Sequence, residues 1–495
     1  MMEHYIIGID QSTQGTKAVL FDSKGQITAR KDASHRQIVN DKGWVEHDPN
    51  EIYHNTIRVV TELISEQGVD VASVKGIGIS NQRETVLVWD KVTGEPVNHA
   101  IVWQCSRAEE ICKRIEHAGH AQMIREKTGL KLSPYFSASK AAWILEHVPG
   151  CMEKASEGKL CIGTIDSWLI YKLTGGQSFY TDYSNASRTQ LFNIHTLTWD
   201  EEICTAFGIN KDCLPKVMDS NSLFGTTDLE GYSTVQIPIH AALGDSHAAL
   251  YGQGCQRPGM IKATYGTGSS VMMNIGSEPI ISDAGVVTSL AWGMDGKVDY
   301  VLEGNINYTG SVITWLQKDL GMIDSYLDAQ KLVWEANPSD RTYLVPAFTG
   351  LGAPYWDSDA TGIFCGITRV TKKAELVRAG VECIAYQIAD VIHAMKQSAG
   401  ITIEHLRTDG GPTQNVYLMQ FQSDILDVCV DASKAEELSA IGAAYAAGIA
   451  AGLYHKDEIF EQIKRTHYIP EKTSEWRSEK YNGWKAAVNM VLSKN

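Results

Sequence analysis

The stretch Tyr5-Ile6-Ile7-Gly8-Ile9-Asp10-Gln11-Ser12-Thr13-Gln14-Gly15-Thr16-Lys17-Ala18-Val19-Leu20-Phe21 sets one carboxylate and a turn of small residues between two apolar runs. Tyr5 to Ile9 and Ala18 to Phe21 are β-branched or aromatic enough to predict two buried strands. The turn between them offers the backbone N–H groups of Ser12, Thr13 and Gly15 together with the Thr13 hydroxyl, and a concave run of amides can surround phosphate oxygens. Asp10, ending the first strand, is placed to hold Mg²⁺, an ion that prefers carboxylate and water oxygens around a nucleotide. The order is strand–turn–strand and not the strand–loop–helix of a Walker A site, and no G-x-x-x-x-G-K-[ST] occurs. Taken alone, the segment reads equally well as an ordinary hairpin with a polar turn.

The second half shifts that balance. Residues 262–274 repeat the plan, with Gly266-Thr267-Gly268 as the turn between two strands. Further on, Leu406 to Asp409 reads as a short strand ending in an acidic Gly410-Gly411 turn, and the apolar period from Val416 to Leu426 predicts a helix. Each glycine turn alone is weak. In this order the three look like a nucleotide held between two related halves.

At 495 residues the chain exceeds what one core usually supports, so two domains of roughly 250 residues are expected. We divide it into 1–252, carrying the first phosphate loop and the substrate side, and 253–495, the nucleotide side. With 43% hydrophobic and 21% charged residues, the composition is that of an ordinary globular protein. A net charge of −15 argues against a nucleic-acid partner. Ten cysteines at irregular spacing, without C-x-x-C, read as reduced thiols of a cytoplasmic protein. Asp10 interrupts the apolar start and no run reaches spanning length, so neither a signal peptide nor a membrane anchor is expected.

Along the chain, Asp48-Pro49-Asn50-Glu51 predicts a helix start, with Asp48 as N-cap and Glu51 closing a capping box, and the helix running to about Gln67. Val74 to Ser80 and Thr85 to Trp89 are strand candidates, giving the alternation of an α/β fold. Residues 130–235 read as a more irregular, Ser/Thr/Asn-rich insertion shaping the substrate side. The boundary between halves is expected near Ile237-Pro238-Ile239 or after Gly252. Ala440 to Gly452, with Gly448-x-x-x-Gly452, predicts close packing of a helix on a sheet.

Phosphoryl transfer to an alcohol needs a base near the hydroxyl and a metal to offset phosphate charge. Asp245, delivered by the apolar run Ile239 to Gly244, suits the first role and Asp10 the second, although Asp245 could also serve as a helix N-cap. Arg83 and Glu84 set a donor fork beside an acceptor carboxylate, which can bracket adjacent hydroxyls of a polyol; the alternative is a solvated ion pair on a hairpin. Trp103 could supply an apolar wall for a carbon chain or be a core tryptophan.

Many longer motifs are recognisable. They include Gly43-Trp44-Val45-Glu46-His47-Asp48-Pro49, Ser80-Asn81-Gln82-Arg83-Glu84-Thr85, Ile101-Val102-Trp103-Gln104-Cys105 and Pro134-Tyr135-Phe136-Ser137. They continue with Ser184-Asn185-Ala186-Ser187-Arg188-Thr189, the run Val345 to Asp357, and Met419-Gln420-Phe421-Gln422-Ser423-Asp424. Over nearly its full length the chain resembles the FGGY family of carbohydrate kinases, and within it the members that phosphorylate glycerol. The resemblance implies two ribonuclease-H-like domains of the actin and hexokinase type, with ATP in a closing cleft. It implies a polyol pocket of Arg83, Glu84, Trp103, Tyr135 and Asp245, with Asp245 as base. It also implies an ATP site of Thr13, Gln14, Lys17, Gly266, Thr267, Gly310, Thr314, Gly411 and Asn415, with Mg²⁺ near Asp10, and a homo-oligomer, dimer or tetramer, in the cytoplasm.

The chain also departs from that family's usual pattern. Asp245-Ser246-His247 stands where glycerol-phosphorylating members usually have Asp-Gln-Gln, and Ser270 stands where an aromatic usually follows the Gly-Thr-Gly turn. The first loop reads Thr13-Gln14-Gly15-Thr16-Lys17 instead of Thr-Thr-Ser-Ser-Arg, and Thr314 replaces a glutamine. The loop around Gly231-Tyr232-Ser233 lacks the basic residue that some bacterial members use for inhibition by a sugar bisphosphate. Ser246 and Ser270 both remove volume and add a hydroxyl, so a longer polyol or ketose, such as erythritol, a pentitol or a ketopentose, is a second enzyme reading. A non-catalytic polyol sensor would be expected to lack Asp10 or Asp245, and an actin-like ATPase leaves Arg83, Glu84 and Trp103 unexplained.

Overall fold

In the computed structural model, which describes residues 3–493, the opening hairpin forms as read. Strand β1 (Tyr5–Gln11) pairs antiparallel with β2 (Gly15–Phe21), setting Ile9 opposite Ala18 and Asp10 opposite Lys17. Helices cover both faces of this sheet, which is why the apolar residues run continuously along β1 instead of alternating. With β3 (Ile27–Ser34), β4 (Val74–Asn81), β5 (Gly225–Thr227) and β6 (Ile237–Gly244), the hairpin builds a six-stranded sheet in the order β5-β6-β4-β1-β2-β3. Within it β4 is parallel to both β1 and β6.

A second, seven-stranded sheet repeats the plan. It is formed by β7 (Ile261–Tyr265), β8 (Ser269–Gly276), β9 (Val287–Met294), β10 (Lys297–Ile306), β11 (His405–Asp409), β12 (Cys429–Ser433) and β13 (Arg465–Tyr468), in the order β9-β10-β8-β7-β11-β12-β13. Here β7–β8 is the hairpin, β8–β10 is antiparallel, and β7, β11 and β12 run parallel. The five strands β3-β2-β1-β4-β6 thus correspond one to one with β10-β8-β7-β11-β12. Asp10 is the last residue but one of β1, Asp409 closes β11, and Asp245 follows β6 directly.

Helix α1 (Pro49–Gln67) spans the predicted range: Asp48 accepts the Asn50 N–H at 2.9 Å, and Gly68 ends the helix at φ +62°. The capping box does not form, because Glu51 accepts the Arg36 N–H instead. Helix α2 (Asp245–Gly252) follows β6, α3 (Val416–Leu426) has the predicted bounds, and α4 (Leu438–Ala450) carries the small residues. Although α4 follows the second sheet, it packs on the first. A Cβ on Gly78 would lie 2.1 Å from the Ala443 carbonyl oxygen, and one on Gly442 would lie 1.8 Å from that of Ala248, so only glycine permits this approach to β4 and α2. The predicted helix-on-sheet packing is therefore present, but Gly448 instead makes room for the Tyr454 ring.

Other expectations change. Residues 130–235 hold helices Ser137–His147, Cys151–Ser156, Ile165–Leu173 and Glu201–Phe207, and the strand Leu160–Thr164. Their hydroxyls bond buried carboxylates in place of forming loops, as when Thr164 and Thr181 donate to Asp166. Strand Val86–Asp90 pairs with Leu160–Thr164 in a separate five-stranded sheet, so Arg83 and Glu84 are not on a hairpin. Ile237-Pro238-Ile239 opens β6, next to the parallel strand β4, and is not a boundary; proline is tolerated near a strand's first residue. All ten cysteines are free thiols, and among the described residues no helix is long and apolar enough to cross a membrane.

Candidate active site

A cavity of about 950 Å³ opens between the two sheets, with Thr13, Gln14, Trp103, Tyr135, Asp245 and Ser246 on one side. Lys262, Thr264, the Gly266-Thr267-Gly268 turn, Ser270 and Asn305 line the other. The side from the second sheet follows from strand register. Pairings β11–β7–β8–β10 place Asp409, Thr264, Ser270 and Asn305 in one row across four strands, and Arg407, Lys262, Met272 and Glu303 in the next row on the same face.

Beneath the cavity lies a buried chain of alternating charge. Arg83 donates from Nε to Asp245 Oδ1 at 3.1 Å, from Nη1 and Nη2 to Glu303 at 2.9 and 2.8 Å, and from Nη2 to Ser246 Oγ at 3.3 Å. Arg188 donates to Glu84 at 2.6 Å and lies 2.9 Å from Glu303. Burial works against the Glu303 charge, yet Arg188 and Arg83 hold its carboxyl well below the ordinary range. Arg83 and Glu84 are thus not a solvated pair with each other: each is neutralised by a more distant residue. Because Glu303 belongs to β10 and Arg83 follows β4, the bidentate pair also ties one sheet to the other.

The backbone around this chain is constrained. Glu84 has φ +61°, a conformation that costs a non-glycine residue about 1–3 kcal/mol and persists only where neighbours impose it. Ser137 Oγ holds its carbonyl at 3.0 Å, and Arg188 holds its carboxylate. Lys140, fully buried, donates to the carbonyls of Pro134 and Tyr135, fixing the loop that carries Tyr135; burial lowers its pKa to about 7. Trp103 stands against Tyr135 with ring centroids 5.5 Å apart, and its Nε1 donates to Thr13 Oγ1 at 3.0 Å, leaving the Thr13 hydroxyl proton available. Trp103 is therefore a wall of the cavity and not a core residue.

Asp245 is the first residue of α2, with Gly244 as N-cap, so its carboxylate does not cap the helix; it accepts the Ser246 N–H and the Arg83 Nε–H. Asp10 accepts from Ser80 Oγ at 3.0 Å, and burial together with the Asp245 carboxylate pushes its pKa up to about 7. Ser246 reaches Arg83, whereas the buried Ser270 Oγ has no hydrogen-bond partner.

The residues expected to hold the nucleotide divide in two. Thr13, Gln14, Gly266 and Thr267 line the cavity. Lys17 does not: its Nζ is 2.9 Å from Glu437, so the ammonium is tied to a carboxylate beside α4. The Ser12 N–H is closed on the Gly15 carbonyl at 2.8 Å and is likewise withdrawn from the cradle. Gly310 donates its N–H to Gly266 O at 2.9 Å and buttresses the second turn from behind. Thr314 bonds back to Gly310 O, Asn415 accepts the Leu418 N–H as N-cap of α3, and Gly411 is exposed just past Asp409; these three are not among the residues that line the cavity.

Glu303, Arg188 and Lys262 were not singled out as site residues from sequence. Their signal is visible in retrospect: a lone charge inside an apolar strand, as in Tyr300-Val301-Leu302-Glu303 and Ile261-Lys262-Ala263, requires a partner when buried. Arg188 stood inside a quoted motif without a role.

Comparison with known proteins agrees with this geometry. The chain matches the FGGY family of carbohydrate kinases, N-terminal domain, over residues 5–252, and the C-terminal domain of the same family over 261–451. It is 46% identical over 490 residues to a glycerol kinase of Bacillus licheniformis, covering 99% of each chain. It is 47% identical over 495 residues to one of Bacillus velezensis, covering 99% of this chain and 100% of the relative. The structure of Plasmodium falciparum glycerol kinase with ADP superposes with a TM-score of 0.95 at 36% identity, covering 99% of both chains. A xylulose kinase from Lactobacillus acidophilus shares the fold with a TM-score of 0.89 at 23% identity, covering 98% of this chain and 97% of that one. With a repeated sheet plan, a cleft between the copies and both family domains matched in order, this chain belongs to the FGGY family of carbohydrate kinases.

Proposed function

We propose that this protein transfers the γ-phosphoryl group of ATP to a primary hydroxyl of glycerol, giving glycerol 3-phosphate. The observation that carries the reading is the placement of Asp245 in the cavity wall, oriented by Arg83 and facing the Gly266–Gly268 turn. A hydroxyl lying against Tyr135 and Trp103 would give its proton to Asp245 as its oxygen attacks the phosphorus. Arg83 orients that carboxylate through its Nε–H, and the Thr13 hydroxyl and the Thr267 turn would hold the phosphate chain.

Asp10 fits a Mg²⁺ ion. It is a hard oxygen donor whose repulsion by Asp245 a cation would relieve, and among the described residues no cluster of three or more candidate ligands forms a complete cage. That suits an ion which takes one or two carboxylates and completes its shell with phosphate oxygens and water. The bound ion would offset charge on the phosphates. We place the two domains at 1–252 and 253–495, a division supported by the end of α2 at Gly252, and we place the enzyme in the cytoplasm, a reading supported by its free thiols.

A second reading, phosphorylation of a four- or five-carbon polyol or ketose, is favoured by Ser246 and by the unpartnered Ser270 Oγ in the cavity wall. One experiment tests both. Purified protein with ATP and Mg²⁺ is assayed for ADP release across glycerol, erythritol, pentitols and ketopentoses. The highest kcat/KM for glycerol supports the first reading, the highest for a longer acceptor supports the second, and no acceptor-dependent ADP release overturns both.

A further inference from the structure

The phosphate chain of ATP brings several negative charges into this cleft, and the residue expected to meet them, Lys17, is paired with Glu437. Among the described residues lining the cavity, Lys262 is the one arginine or lysine. It is the second residue of β7, 1% exposed, and its Nζ makes one hydrogen bond, to Thr264 Oγ1 at 3.1 Å. No carboxylate stands within salt-bridge distance of it among the described residues, so two of its three N–H donors have no partner. A buried ammonium in that condition is costly, and burial lowers its pKa, partly countered by Asp409 and Glu303. The strand register fixes it on the cavity face, in line with Thr264 and four residues before Gly266 of the Gly266–Gly268 turn.

We infer that Lys262 is a further catalytic residue, whose ammonium contacts the γ-phosphoryl group in transit. This rests on the kinase reading above. In the step, the acceptor oxygen forms its bond to the γ-phosphorus while the bond from that phosphorus to the β–γ bridging oxygen breaks. The hydroxyl proton passes to Asp245, and the electron pair of the broken bond remains on the terminal oxygen of ADP. Lys262 keeps its proton throughout and matches the charge gathering on the phosphoryl oxygens; a fixed donor aimed at developing charge in a water-poor site is worth about 10²–10³-fold in kcat. Two lysines of the same chain thereby exchange expectations: the one in the recognised loop serves structure, and the one inside an apolar strand serves chemistry.

The test uses the full-length protein, glycerol, ATP and Mg²⁺, with Lys262→Met, which keeps the length of the side chain, and Lys262→Ala, which leaves space for a small amine. Melting temperature and ADP affinity of each variant are measured beside the kinetics. The proposal expects kcat of Lys262→Met to fall about 10²-fold, with ADP affinity and the KM for glycerol within about threefold of wild type. It further expects Lys262→Ala to regain activity with added ethylammonium and not with ethanol at the same concentration. A Lys262→Met kcat within threefold of wild type overturns it. So does a loss of ADP binding or of the folded transition in both variants, or rescue of Lys262→Ala by the neutral alcohol as well as the amine, since each makes the role structural. Wild-type turnover in the same assay separates the two claims: if wild type itself is inactive with every acceptor, the kinase reading fails first.

Discussion

The two phosphate-side hairpins, β1–β2 and β7–β8, occupy corresponding places in corresponding sheets, yet they present different chemistry to the cleft. In the first, two of the expected donors are tied up inside the protein, Ser12 N–H on Gly15 and Lys17 on Glu437, and only Thr13, which accepts from Trp103, keeps its hydroxyl proton free. In the second, the corresponding face carries Lys262 and Ser270 with donors still unpaired. The acids differ as well: Asp10 faces Asp245, which together with burial raises its pKa, whereas Asp409 faces Lys262, which counters burial. A shared backbone plan therefore does not divide the work equally. What decides is which neighbours the rest of the chain brings to each turn.

Breaking the tie between the halves gives the largest expected effect. Glu303→Gln leaves Arg83 and Arg188 buried without their shared counter-charge, so about 3–5 kcal/mol of stability should be lost. The pH dependence has a definite sign. The Glu303 carboxyl titrates well below its ordinary value of 4.5 in the folded state, so its contribution is fully present above that value and is lost as pH falls below it. Melting curves of variant and wild type should be far apart at neutral pH and converge in acid; equal melting temperatures at neutral pH would mean the pair does not bind the sheets together.

Next comes the base. Asp245→Asn should lower kcat by roughly 10²-fold or more while ADP affinity stays near wild type. Near-wild-type turnover would remove Asp245 from that role and leave the first half only its contacts with the metal and the phosphate chain.

A smaller effect is expected where the two walls meet the acceptor. Restoring bulk with Ser246→Gln and Ser270→Phe together should lower the KM for glycerol and reduce kcat/KM for a four- or five-carbon polyol, shifting their ratio about tenfold, the scale of a lost or gained apolar contact. An unchanged ratio would show that these positions do not shape the pocket.

The smallest effect falls on the first loop. Because Lys17 is partly exposed and paired with Glu437, Lys17→Met should cost about 1 kcal/mol at most and change the KM for ATP less than tenfold. A 10²-fold loss in kcat would mean that Lys17 leaves Glu437 for the phosphates, and the contrast between the hairpins would collapse.

Local sequence determined a good deal here. The hairpin Tyr5 to Phe21, helix α1 from its Asp48 cap to Gly68, and helix α3 were all legible, because apolar period, capping and glycine turns act over a few residues. Asp245, Tyr135 and Trp103 were legible through motif, and the structure brings all three to one cavity. The ion-pair chain was not. Glu84 meets Arg188 across 104 positions and Arg83 meets Glu303 across 220, and no local pattern encodes which buried charge will answer another. The same holds for the two lysines. Lys17 lies in the expected loop but is claimed by Glu437, 420 residues away, whereas Lys262, in an apolar strand, is left facing the cleft. Side-chain period and turn chemistry are properties of neighbours in sequence, so the chain alone displays them; charge compensation in a low-dielectric interior depends on neighbours in space, and only folding chooses those.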